Sequence, residues 1–181
     1  MVDVARSLGV SHGTVYRHFA SKTELRDSVL EQWLERRIAP LTPIVQEGED
    51  ADRGWKHEVD GGLSPAADRL RRWLIALMES KHERAQDDPD LFAAYAELSA
   101  QAREVILRHV DTLTGQLTQI IAGGVAAGEF AAADPAVAAR AVFDSTVRFH
   151  HPAHAGEWSL PDIGESFEGV WSLILTGLSP R

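Results

Sequence analysis

The 181-residue sequence predicts an all-α fold, and three observations carry that prediction. Almost every long segment spaces its apolar residues at helical period, and no alternating, β-branched run bounded by turn residues occurs. Helix starts are also marked by caps, as at Ser64-Pro65, Asp90 just past Pro89, and Asp134-Pro135. The pattern predicts helices at 2 to 8, 11 to 18, 21 to 38, 64 to 87, 90 to 128, 134 to 151 and 160 to 177, with a short one at 41 to 47.

The first two elements are read as a helix-turn-helix. Val4, Ala5, Leu8 and Val10 give the first an inner face, Gly9 supplies the tight turn, and Ser11 caps the second helix. In that second helix Val15 and Phe19 point inward at i, i+4, which leaves Ser11, His12, Gly13, Thr14, Tyr16, Arg17 and His18 on the outer face or the ends. A short, polar helix suits a nucleic-acid groove, because its backbone approaches base edges closely while hydroxyl, imidazole and guanidinium groups make contacts. Lys22, at the start of the third helix, can hold a phosphate together with free backbone N–H groups. Pro40 and Pro43 stop that helix, so the division falls near residue 40, giving a reader with its linking helix at 1–40 and a helical body at 41–181.

Charge obeys the same division. The net charge is −9, yet residues 1–38 carry +1 and the remainder −10. Phosphate contacts are therefore expected from the first segment alone. Cysteine is absent, which fits a reducing compartment, and neither a secretion signal nor a long apolar run is present, so a cytoplasmic protein with no membrane partner is expected.

The body shows no nucleotide-binding glycine loop, no nucleophile elbow and no catalytic pairing of acids, so an enzyme is not expected. Its aromatic and histidine residues instead fall on consecutive helices. Trp73, Leu77, Met78, His82, Phe92, Tyr95, Phe143 and Phe149 are expected either to line a small-molecule pocket or to serve as plain core. In RFHHPAH, residues 148–154, His150 and His154 stand at the i, i+4 spacing that lets two imidazoles reach one divalent metal, with His82 or Asp144 as a third ligand. Pro152 opposes that reading by breaking the helix, and the expectation is no metal and no cofactor, with the histidine cluster as the alternative metal site.

GVSHGTVYRHFASKTEL, residues 9–25, resembles the DNA-binding signature of the TetR family of bacterial repressors, with Gly9, Val10, Ser11, Tyr16, Phe19, Lys22 and Leu25 on the pattern. IIAGGVAAGEFAAADPAVAARAV, residues 120–142, is similar to the family's turn between late helices. The resemblance implies that residues 11–17 form the recognition helix, that Tyr16 and Lys22 bind phosphates, and that the last helices dimerise. The dimer face it suggests uses Val137 and Ala141 with Phe167, Val170, Trp171 and Ile174. The family carries a further helix ahead of the helix-turn-helix; here only Met1-Val2-Asp3 precedes the first pattern, and a truncated or omitted helix is expected. The implied function is a homodimeric repressor of double-stranded DNA, released by a small-molecule inducer. The alternative is a dimeric sensor of a small molecule or metal that no longer binds DNA.

Overall fold

The computed structural model describes residues 11–50, 63–87, 97 and 101–180, and every regular element within them is helical. In chain order these are α1 (His12–His18), α2 (Lys22–Ile38), α3 (Thr42–Asp50), α4 (Pro65–Asp87), α5 (Arg103–Ala126), α6 (Pro135–Ser145), α7 (Val147–His150), a 3-10 turn (Pro152–Glu157) and α8 (Ile163–Leu178). The expected helix at 2 to 8 and the Asp90 cap lie outside the described residues. No described helix is long and apolar enough to cross a membrane.

Local chemistry accounts for the boundaries. Ser21, in extended conformation, accepts the Glu24 amide at 3.0 Å, while the Glu24 carboxylate accepts the Ala20 amide at 2.6 Å. This is a capping box whose glutamate reaches one residue further back than usual. Asp134 caps α6 by accepting the amides of Ala136 and Val137, with Pro135 in the first turn. Between α5 and α6, Gly128 adopts φ +73°, the left-handed conformation the turn requires, and the amides of Glu129 and Phe130 bond back to the Gly124 carbonyl. The Glu129 carboxylate then accepts the Ala66 amide at 2.6 Å, tying this turn to the first turn of α4.

Two of the expected helices are interrupted. The span expected at 134 to 151 breaks at Thr146, whose hydroxyl donates to the carbonyls of Val142 and Phe143, competing with the helical amides. It ends at His151, which is extended (ψ 132°) because Pro152 comes next. The span expected at 90 to 128 is broken at Ala102 (φ −102°, ψ 53°), from which α5 starts.

The main core joins α3, α4, α5, α6 and α8 around Leu41, Leu70, Trp73, Leu74, Leu77, Leu117, Ile120 and Ile121, all essentially inaccessible. Trp73 brings its only polar atom in satisfied, donating Nε1–H to Gln116 Oε1 at 3.0 Å. Gly124 is where α5 comes closest to its neighbours: a β-carbon there overlaps the Phe130 ring and stands 2.9 Å from Ala66 Cβ. A second, smaller core of Leu30, Leu34, Ala102, Val105 and Trp158 docks α2 onto the body. Ion pairing reinforces that contact, Arg108 of α5 reaching Glu31 of α2 at 3.0 Å.

Candidate functional site

The N-terminal region presents polar groups on short, capped backbone. Ser11 precedes α1, where its Oγ accepts the Thr14 amide at 3.1 Å and lies 2.8 Å from the Thr14 hydroxyl. Ser11, Gly13, Tyr16, Arg17 and His18 are exposed, and a β-carbon at Gly13 meets nothing nearer than Ser11 Oγ at 3.9 Å. Thr14 is half-buried, and His12 is in the helix by backbone. Lys22 is exposed in the first turn of α2, between the two members of the capping box, Ser21 and Glu24. The structure thus brings the expected contact residues onto one short helix and the start of the next, with the cations Arg17 and Lys22 and the His18 imidazole exposed on an otherwise acidic chain.

In the body, the residues expected around a pocket are used differently. Trp73, Leu77, Phe143 and Phe149 are buried in the main core, Phe149 standing edge-on to Phe167 with centroids 5.5 Å apart. Met78 packs against that core, and Phe92 and Tyr95 lie outside the described residues. His82 donates Nε2–H to the Phe149 carbonyl at 2.8 Å and stacks on Trp158 at 4.4 Å. The physical reason is continuity of the stripe: on α4 the positions 70, 73, 74 and 77 all face the same packed interior, so its aromatic and leucine side chains fill that interior. Among the described residues, two clefts open elsewhere. One, of about 180 Å³, lies between α2 and α5, and one of about 460 Å³ between α3 and α5 is edged by Thr42, Gln46, Gln116 and Gln119.

The alternative metal site is not assembled. His150 is buried against Phe143, with Nε2 3.4 Å from the Thr146 hydroxyl. His154 lies beyond the Pro152 break and pairs through Nδ1 with Glu157 Oε1 at 2.6 Å, while His82 is engaged by the Phe149 carbonyl. Among the described residues no three His, Asp or Glu side chains form a group able to hold a metal. Asp144, the other third-ligand candidate, pairs with Arg140 at 2.9 Å. Glu157 is held below the usual carboxylate range by its bonds from His154 and then Arg148.

The expected dimer face also changes. Phe167 and Trp171 are each only 5% exposed, locked in the monomer core beneath the Arg71 guanidinium, which stands 6.0 Å from both rings. Val137 on α6 (65% exposed) and Ala141 stay outside, Val170 and Ile174 are half-buried, and Leu173, which periodicity did not single out, is 75% exposed.

Two of the strongest electrostatic perturbations, on Lys81 and His109, fall on groups the sequence reading missed. Lys81 is buried, its pKa lowered to about 8 by burial and then by the nearby Arg37 charge. The Lys81 ammonium and the Arg37 guanidinium flank the Trp33 ring at 5.8 and 4.8 Å. His109 is pushed down to about 3 and His150 to about 4, in both cases by burial and then by Lys81. The signal was available: His109 continues the Val105, Leu113, Leu117 stripe, and Lys81 the Trp73, Leu77 stripe, polar residues at positions where the period demands apolar ones.

Residues 66–171, more than half of the chain, match the family model described as the tetracyclin repressor-like C-terminal domain. Residues 1–29 match that of the bacterial regulatory proteins of the tetR family, at the segment that holds the exposed α1. No curated protein matches the chain. A helical body of this family, preceded by the family's reader segment, makes this chain a member of the TetR family of transcriptional regulators.

Proposed function

We propose that this regulator is a homodimeric repressor that holds a palindromic operator and releases it when a small molecule binds. The observation that carries the reading is the exposed edge formed by α1 and Lys22, with Tyr16, Arg17 and His18 presented outward on a chain whose remainder is acidic. Two copies related by a two-fold axis set their α1 helices in successive major grooves, about 34 Å apart. Lys22 and Tyr16 then contact phosphates, while Ser11, His12, Gly13 and Thr14 approach base edges. Val137, Ala141 and Leu173 supply the apolar surface for pairing, with Val170 and Ile174 at its margin. Release is a population shift: a ligand that favours a conformation with mismatched α1 spacing lowers operator affinity by its differential affinity for the two states.

The test is selection of bound duplexes from a random pool by the full-length gene product at low salt, with light scattering at micromolar concentration. A palindromic consensus bound by a dimer is expected. Lys22→Ala weakens all sequences alike and reduces the salt slope by about 1, and Leu173→Asp yields monomer. Failure to select any duplex, or a monomeric wild type, defeats the reading.

A further inference from the structure

The cleft of about 460 Å³ between α3 and α5 is built from two helical stripes. Thr112, Gly115, Gln116 and Gln119 recur at helical spacing along α5, and Thr42, Val45 and Gln46 do so along α3. None of these residues ionises, although 25% of the chain is charged and a helix face left to water ordinarily carries charge. Two features of α5 go beyond a solvated face. The Gln116 carboxamide is held in place, its Oε1 accepting the Nε1–H of the fully buried Trp73 at 3.0 Å. Its nitrogen is neither bonded nor sealed from solvent among the described residues, which leaves an oriented donor on a residue that lines the cleft. Gly115, one position earlier, has no packing reason to be glycine: a β-carbon there meets nothing within 4 Å, whereas one at Gly124 overlaps the Phe130 ring. A glycine inside a helix weakens it, and what it leaves here is bare backbone in the cleft wall beside the oriented donor.

We propose that this cleft binds a neutral planar molecule with a lactam edge, of the pyrimidinone kind, laid against Gly115. A lactam sets a C=O acceptor beside an N–H donor. Its carbonyl accepts from the Gln116 amide. Its N–H is taken by an oxygen that has already committed its own proton: the Thr112 hydroxyl donates to the Arg108 carbonyl at 2.9 Å, and Thr112 stands one turn before Gln116 on the cleft-lining stripe. The carboxamides of Gln46 and Gln119, unbonded among the described residues, supply donors and acceptors for the remaining polar groups. Neutrality follows from the lining, because a carboxylate or ammonium group would give up water without meeting an opposite charge there. Planarity follows from Gly115, where a flat face can approach the backbone with no side chain in the way. The occupant touches α3, which follows α2 through Leu41, and α5 of the body, so occupancy changes how α2 is held; that consequence rests on the proposed ligand-responsive repressor, whereas binding itself does not.

The experiment is calorimetric titration of the full chain with uracil, N,N′-dimethyluracil, orotate and glucose, together with NMR of backbone and side-chain amides. Uracil is expected to bind saturably, with Kd of about 1 mM or tighter, and to move the Gly115 and Gln116 amide resonances. It should exceed the dimethyl form, which lacks the N–H, orotate, which adds a carboxylate, and glucose, which has no lactam, by at least about tenfold each. Gln116→Glu keeps an oxygen for Trp73 and replaces the donor by a second acceptor, so it folds and weakens uracil by about tenfold or more. Gly115→Leu meets no neighbour and favours the helix, so it raises the melting temperature while abolishing uracil binding, a combination that a merely structural glycine would not give. Equal binding of uracil and any of the three other compounds, unchanged uracil binding in either variant, a Gly115→Leu protein that melts below wild type, or no saturable binding at all would overturn the site. Uracil binding that leaves operator affinity unchanged overturns the regulatory consequence alone, and failure to bind DNA while uracil still binds overturns only the repressor reading.

Discussion

The reader and the body of this chain use opposite strategies for the same secondary structure. On α1 most of the side chains are exposed, and order comes from local bonds: Ser11 to Thr14, then Ser21 and Glu24 across the start of α2. In α4 and α5 order comes from burial, with Trp73, Leu77, Leu117 and Ile121 excluded from solvent and the polar exceptions either bonded, as Trp73 is, or shifted in pKa, as Lys81 and His109 are. A surface meant to meet a partner keeps most of its side chains in solvent, while a scaffold commits its side chains to packing. The α2–α5 contact is where the two meet, and among the described residues it is the one place where an interior wall still carries an unbonded polar ring.

That contrast can be broken most forcefully at Trp73. Trp73→Ala leaves a large void and orphans Gln116, and a loss of about 3–5 kcal/mol in urea unfolding is expected; a loss below about 1 kcal/mol would show that the body is not close-packed there. Acid comes next. His109 and His150 take protons at about pH 6.5 when unfolded but only near 3 and 4 when folded, so the unfolded chain binds more protons below pH 6.5. Their contribution is therefore intact above about pH 6.5 and falls as the pH drops toward 4 and 3, on the order of 2 kcal/mol each at pH 5. Denaturation midpoints measured from pH 7 to 5 should fall, and His109→Leu should flatten the curve; a flat wild-type profile contradicts the burial of these rings.

On the reader side the effects shrink. Ser21→Ala removes the cap of α2 and should cost about 1 kcal/mol, read as a lower midpoint with unchanged slope, and an effect as large as that of Trp73→Ala would mean that α2 holds the body together. Arg17→Ala, at an exposed position, should shift stability by less than about 0.5 kcal/mol while lowering duplex affinity. A strongly destabilised Arg17→Ala protein would show that α1 is packed and not presented.

Much of this was legible along the chain. Caps at Ser64-Pro65 and Asp134-Pro135 identified two helix starts, because a cap is a contact between neighbours in sequence. Pro152 announced the break that separates His150 from His154, for the same reason. That Phe167 and Trp171 are covered within the monomer was not legible, because an apolar stripe reports that a face is covered and not by what; Leu173, on the opposite side of α8, is the large apolar side chain of that helix left outside.

The sequence by itself determined the helical class, the local start and stop of most elements and the polar composition of α1, since these depend on periodicity, steric rules and contacts within a few residues. Only the tertiary structure decided that Trp73, Phe143 and Phe149 form core, that three histidines face three different partners, and that His109 and Lys81 lie in the interior between α2, α4 and α5. Those outcomes depend on which helix faces meet across dozens of residues of chain, and the same side chain is wall, ligand or core according to what stands opposite it.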